Sequence, residues 1–273
     1  MSGQVRDIIF DAGRPLIMAH RGDSASTPEN TMLSLERAVE IGVDVLETDV
    51  RMTRDCELVL FHDDTLERTT GRSGRVADYT LQQLKEIDLG EMFTPDNGAT
   101  YPYRGQGLSI VTLREAFEAF PDMRFNLDIK DTDPRAPRLV ANIIEECGRE
   151  SSVIVGSFHD RQVHSFRRLM PDVATAASPS EVTRFVFGLK IHLLRVLVRC
   201  YRYRAFQVPL KYGSIKVVNE AFVRASHERG VAVHVWTVNE RPTMEQLIAL
   251  GVDGIFTDRP ALLREVLKDQ GLL

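Results

Sequence analysis

Eight short apolar segments, most of them followed by an amphipathic helical stretch, predict a (β/α)8 TIM barrel for this chain. Two further observations agree. The 273 residues fall within the range that such barrels occupy as one domain. No GxGxxG follows the first apolar segment, which disfavours a dinucleotide-binding open sheet. A single domain over residues 1–273 is therefore expected, with a small loop insertion after the second strand.

Residues 16–19 read as the first strand. Met32, Leu35 and Val39 then recur at helical spacing, with Thr27 or Asn30 as N-cap and Pro28 suited to a first turn. The second strand is placed at 43–47, and 57–64 reads as an extended piece entering a loop. Pro, Gly, Asn and Tyr crowd residues 90–107, the insertion, which reads as a loop and not as a second core. Further strands are expected at 125–129, 153–156, 173–176, 205–208, 231–236 and 254–256. Helices are expected at 138–146, 161–170, 220–229, 244–250 and 262–268.

With 43% hydrophobic and 27% charged residues, the composition is that of a soluble globular protein with ample core. The net charge of −5 opposes nucleic-acid binding, because a protein that tracks phosphates carries a basic surplus. Cys56, Cys147 and Cys200 are few and unpatterned, which suggests a reducing compartment and no cysteine-based metal site. Residues 1–10 lack the basic region and long apolar core of a signal peptide, and no apolar run reaches the ~20 residues of a spanning helix. The expected location is cytoplasmic.

Barrel active sites lie at the C-terminal ends of the strands. His20 closes the first predicted strand, Glu47 and Asp49 the second, Asp128 and Lys130 the third, and Trp236 the seventh. Residues two apart share a face of a strand, so Glu47 with Asp49, and Asp128 with Lys130, point together into the mouth. Three clustered carboxylates without cysteine suit one hard divalent cation, Mg2+ or Ca2+. Cleaving an anionic phosphodiester requires charge neutralisation, for which Arg21 and Lys130 are suited, and a proton donor and acceptor, for which His20 and His62 are suited near neutral pH. Trp236, at the end of the seventh strand, is expected to line the substrate through its amphipathic ring. Glu29 and Asn30 either cap a helix or support the phosphate site, and Asp63 and Asp64 read as turn residues.

The order His20-Arg21-Gly22, Pro28-Glu29-Asn30-Thr31, Glu47-Thr48-Asp49, Thr53-Arg54-Asp55 and His62-Asp63 resembles the glycerophosphodiester phosphodiesterase family. So do Val235-Trp236-Thr237-Val238-Asn239 and Gly251-Val252-Asp253-Gly254-Ile255-Phe256-Thr257-Asp258-Arg259-Pro260, and the likeness spans residues 15–260 or so. The resemblance implies hydrolysis of glycerophosphodiesters to sn-glycerol 3-phosphate and an alcohol. It implies His20 and His62 as the acid–base pair, Glu47, Asp49 and Asp128 on the metal, and Arg21 and Lys130 on the phosphate. Asp128-Ile129-Lys130 departs from the family's usual E-x-K, which bears on the metal more than on the reaction class. Val111 stands where a proline is common.

From residue 182 to 219 there is no acidic residue, whereas eight Lys and Arg occur. Projected as one helix, Arg184, His192, Arg195, Arg199 and Arg202 share a stripe, and Phe, Leu, Ile and Val cover most of the rest. Such a helix is expected to lie in an anionic membrane surface at the inner face of the membrane, contacting it through Arg195, Arg199 and Arg202. An ordinary barrel helix or an oligomer interface are the alternatives. Membrane contact would bring lysophospholipids within reach and make the enzyme a lysophospholipase D. A catalytically inactive barrel that binds lipid or protein is the reading from another class, and the two histidines and three carboxylates oppose it.

Overall fold

The computed structural model describes residues 10–198 and 201–273, so Arg199 and Cys200 lie outside the described residues. Eight parallel strands form the predicted barrel: β1 Leu16–His20, β2 Val45–Met52, β3 Arg124–Ile129, β4 Val153–Gly156, β5 Ala174–Thr175, β6 Ala205–Pro209, β7 Ala232–Trp236 and β8 Gly254–Thr257. They pair in chain order, with β8 returning to β1. The last seam, β5 to β6, closes through one parallel bridge, Ala176 to Ala205, with Arg204 N–H donating to Thr175 O at 2.8 Å. The barrel is therefore nearly, not fully, laddered.

The strands are mostly apolar because both faces are buried, one by the barrel interior and one by the helical ring, with the polar exceptions concentrated in β2 and β3. Ile17, Leu46, Leu127, Val155, Phe206, Val233 and Ile255 all belong to the main core. Inside the barrel the Gln207 amide donates to Asn126 Oδ1 at 2.5 Å, and a Cβ at Gly156 would lie 3.2 Å from Gln207 Oε1.

Three features differ from the sequence reading. First, β2 runs on to Met52, because its end pairs antiparallel with a short strand, Leu58–Leu60. Glu47 and Asp49 thus sit inside a strand, in a rigid frame. Second, residues 90–107 are a loop as expected, but the segments on either side of it carry structure that the sequence reading did not place. Val59, Phe61, Leu66, Val76, Leu84, Leu89 and Ile110 form their own small apolar cluster. A helix at Leu113–Ala119, begun by a Thr112/Glu115 capping box, completes the segment before β3.

Third, the basic stretch is not one helix. Pro179–Lys190 is helical, the chain then turns at Ile191–Leu193 with His192 at φ 58°, and Leu194–Leu197 forms one short further turn. The projected stripe through Arg184, His192, Arg195 and Arg202 is therefore broken. Phe187 (55% exposed) and Val196 (54%) face outward, whereas Phe185 and Leu194 are buried. Tyr201 donates to Arg229 O at 2.6 Å just before β7, so this stretch returns to β6 at the N-terminal side of the barrel. Among the described residues no helix is long and apolar enough to cross a membrane.

Candidate active site

The first βα turn builds the near wall of the site. Arg21 sits at φ 58° and Gly22 at φ 86°, folding the chain back directly after β1. A Cβ on Gly22 would lie 2.1 Å from Ser34 Oγ, so only glycine fits there. The following helix, Met32–Ile41, is capped by Thr31, whose Oγ1 accepts from Ser34 N–H, and not by Thr27 or Asn30. Asn30 is free for the site instead. It is buried, and its Nδ2 donates to Asp49 Oδ2 at 3.0 Å. Glu29 accepts from Arg21 Nη1 at 3.0 Å and from both Arg68 Nη atoms. Neither Glu29 nor Asn30 caps the helix; both contact charged side chains of the mouth instead.

Strand register then gathers the charges. His20 lies opposite Glu47, and Asp49 lies opposite Asp128. Asp49 is clamped by Arg21 Nε at 3.0 Å and Lys130 Nζ at 2.9 Å, and Lys130 also donates to Asp128 Oδ2 at 2.6 Å. Burial alone would raise the Asp49 carboxyl, but Lys130 and then Arg21 pull it down to about 2. Burial likewise disfavours the Lys130 ammonium, but Asp128 and Asp49 prevail and push it up to about 12. For Glu47 burial wins, helped by the Asp49 charge, and its carboxyl is pushed up to about 7. Asp128 is also raised, chiefly by burial.

Both histidines are held by aspartates. His20 Nδ1 lies 2.6 Å from Asp258 Oδ1, and His62 Nδ1 lies 2.6 Å from Asp63 Oδ1. Asp258 is itself oriented by Asn239, which donates from Nδ2 to Oδ2 at 2.6 Å and accepts Asp258 N–H through Oδ1 at 2.9 Å. Asp63 is oriented by Arg68 Nε at 2.5 Å. Burial depresses the His20 imidazolium, but the Glu47 charge and the Asp258 hydrogen bond reverse that and leave it raised above 6.5. His62 ends below 6.5, because burial and the Arg21 charge outweigh Asp49 and Asp63. Arg21 acts electrostatically on both imidazoles, which puts the two in one site.

Asp258, Asn239, Asp63 and Arg68 are thus site residues that the sequence reading left out or took for turn positions. Asp258 directly follows β8, so the strand-end rule that singled out His20 and Asp128 was signal enough. Trp236, the last residue of β7, packs edge-on against Phe158 with ring centroids 5.5 Å apart. Lys130 Nζ lies 5.2 Å from the Phe158 ring centre, so this aromatic pair forms a wall beside the charged cluster. On the other side a cavity of about 220 Å3, lined by residues including Glu29, His62, Arg68, Met92 and Phe93, opens beneath the insertion. His164 and His227 pair with Glu181 and Asp253 on later elements, and His234 is a core residue whose imidazole burial pushes down to about 4.

The carboxylates can be tested against the expected cation. Among the described residues no three His, Cys, Asp or Glu groups converge as a ready metal cage, and the Lys130 ammonium bridges Asp49 and Asp128. The donor chemistry nevertheless fits a hard ion. All three donors are carboxylates, and Asp128 Oδ1 is buried without a hydrogen-bond partner. The raised Glu47 marks a site short of positive charge.

A barrel mouth holding two aspartate-oriented histidines around an Arg/Lys/carboxylate cluster is chemically suited to moving protons beside an anionic group. Residues 20–262 match the glycerophosphoryl diester phosphodiesterase family, and the chain belongs to that family, an enzyme family of phosphoric diester hydrolases. It is 34% identical over 267 residues to a probable glycerophosphodiester phosphodiesterase 2 of Mycobacterium tuberculosis, covering 95% of this chain and 93% of that one. A lysophospholipase D of Rattus norvegicus is 28% identical, with 92% and 86% covered. The fold matches an Oleispira antarctica phosphodiesterase, solved with its product sn-glycerol-3-phosphate, at a TM-score of 0.75 and 24% identity, covering 94% of this chain and 98% of that one.

Proposed function

We propose that this protein hydrolyses glycerophosphodiesters to sn-glycerol 3-phosphate and an alcohol, with His20 and His62 sharing the proton transfers. The observation that carries the reading is the pair of histidine–aspartate contacts in one charged mouth. Each imidazole is anchored at Nδ1, which leaves Nε2 for a proton in transit. His62, held below its ordinary pKa, takes a proton from the attacking nucleophile, which is either water or a substrate hydroxyl whose cyclic ester water then opens. His20, held above it, gives one to the departing oxygen. Arg21 and Lys130 keep N–H donors beyond those bound to carboxylates, and these neutralise the phosphoryl oxygens.

One divalent cation, Mg2+ or Ca2+, is proposed to bind through Glu47, Asp49 and Asp128. When bound it supplies further positive charge to the phosphoryl group. Trp236 and Phe158 line the organic part of the substrate. That wall also suits a lysophospholipid, the substrate class in the rat relative's name, and lysophospholipase D activity is the second reading it favours.

The test is turnover of glycerophosphocholine and of lysophosphatidylcholine with Mg2+, Ca2+ or Mn2+, following sn-glycerol 3-phosphate and lysophosphatidic acid. Release of either product supports phosphodiester hydrolysis and identifies the preferred substrate. No turnover of either with any ion overturns it.

A further inference from the structure

We propose that the small hairpin rising from β6 docks the catalytic face of the barrel on an anionic lipid surface. The hairpin consists of Lys211–Tyr212 and Ile215–Lys216. β6 ends at Pro209, which lies in register with Trp236, so the hairpin begins two residues beyond the aromatic wall of the mouth. Gly213 at φ 56° makes the tight turn.

Tyr212 lies directly opposite Ile215, and the two are 75% and 49% exposed. Neither contributes to the core, and a cross-strand apolar pair held in water at a loop tip leaves its burial unrealised. Lys211 lies opposite Lys216 on the alternate face, and like charges directly opposed destabilise a hairpin. Among the described residues neither lysine has an ion-pair partner, and residues 182–219 contain no acid to supply one. An external anion is what this pair lacks. Phe158, 58% exposed, extends the apolar surface from Trp236 toward Lys130.

An aromatic and an aliphatic tip with two flanking lysines fits the boundary between acyl chains and anionic headgroups. Docked this way, the mouth faces the lipid. The exposed Phe187 and Val196 lie in the stretch that returns to the N-terminal side and take no part. The inference concerns adsorption alone, so it stands or falls separately from the roles of His20 and His62.

The experiment is co-sedimentation of the full chain with phosphatidylglycerol/phosphatidylcholine vesicles and with pure phosphatidylcholine vesicles, alongside hydrolysis of soluble glycerophosphocholine. Wild type should bind the anionic vesicles and release at high salt. Each lysine is worth about fivefold in affinity at such a surface, so K211Q/K216Q should weaken binding by about 30-fold. Y212D/I215D should abolish it, and both variants should keep wild-type turnover of the soluble diester. L193D/V196D should bind like wild type. Absence of wild-type binding, unchanged binding of both hairpin variants, or loss of binding only in L193D/V196D would each overturn the proposal.

Discussion

Replacing Asp258 by Asn tests how His20, the acid in the proposed mechanism, is biased toward its protonated form. The carboxylate lies 2.6 Å from His20 Nδ1, with Asn239 donating to its other oxygen. The substituted side-chain amide would keep its carbonyl toward Asn239, so its NH2 would meet His20 Nδ1. Nδ1 must then be a bare acceptor, which disfavours the imidazolium. A charge-assisted hydrogen bond contributes about 1.5–3 kcal/mol, equal to a factor of about 10–150 in rate if the bond strengthens as the proton moves. The direction in pH follows from His20 being raised by Glu47 and Asp258. Removing the Asp258 carboxylate lowers that pKa, so the alkaline limb of kcat should shift to lower pH. The assay is a kcat and KM profile on glycerophosphocholine across pH 5–9, with thermal melting as a folding check. Unchanged kcat and an unmoved alkaline limb in a folded variant would refute the positioning role.

Four further outcomes are expected. His20→Ala and His62→Ala should each lower kcat at least ~100-fold while circular dichroism stays native, and near-wild-type turnover by either would remove it from the acid–base pair. The wild-type pH profile should be a bell, with His62 governing a limb below 6.5 and His20 one above it; a single sigmoid would count against two titrating groups. EDTA should abolish activity and Mg2+ or Ca2+ restore it while raising Tm, with Asp128→Glu changing the preferred ion; full activity in metal-free protein rules the ion out. Glu47, raised from 4.5 to about 7, contributes stability that is complete below pH 4.5 and lost as pH rises through 7. Glu47→Gln should therefore raise Tm by a few degrees at pH 8 in EDTA, relative to any change at pH 4, and no difference between the two pH values would contradict the charge deficit.

Much of this protein was legible in its chain because the relevant rules are local. Strand alternation paired Glu47 with Asp49 and Asp128 with Lys130, and barrel topology put the strand ends on one face, so His20, Glu47, Asp128 and Trp236 could be singled out without coordinates. Local rules also misled. The second strand was placed at 43–47, since only the antiparallel partner Leu58–Leu60 shows why it continues to Met52. Helical projection of residues 184–202 assumed a continuous axis, which the turn at Ile191–Leu193 breaks.

What needed tertiary structure was partnership across long separations. Asp258 stands 238 residues from His20, and Asn30 and Lys130 meet Asp49 from two different strand ends. Whether a histidine is an acid or a base depends on which charges surround it within a few ångströms, and sequence spacing carries no such distances. The chain by itself determined which chemical groups the mouth would hold. Folding decided which of them face one another, and so which way each proton is biased.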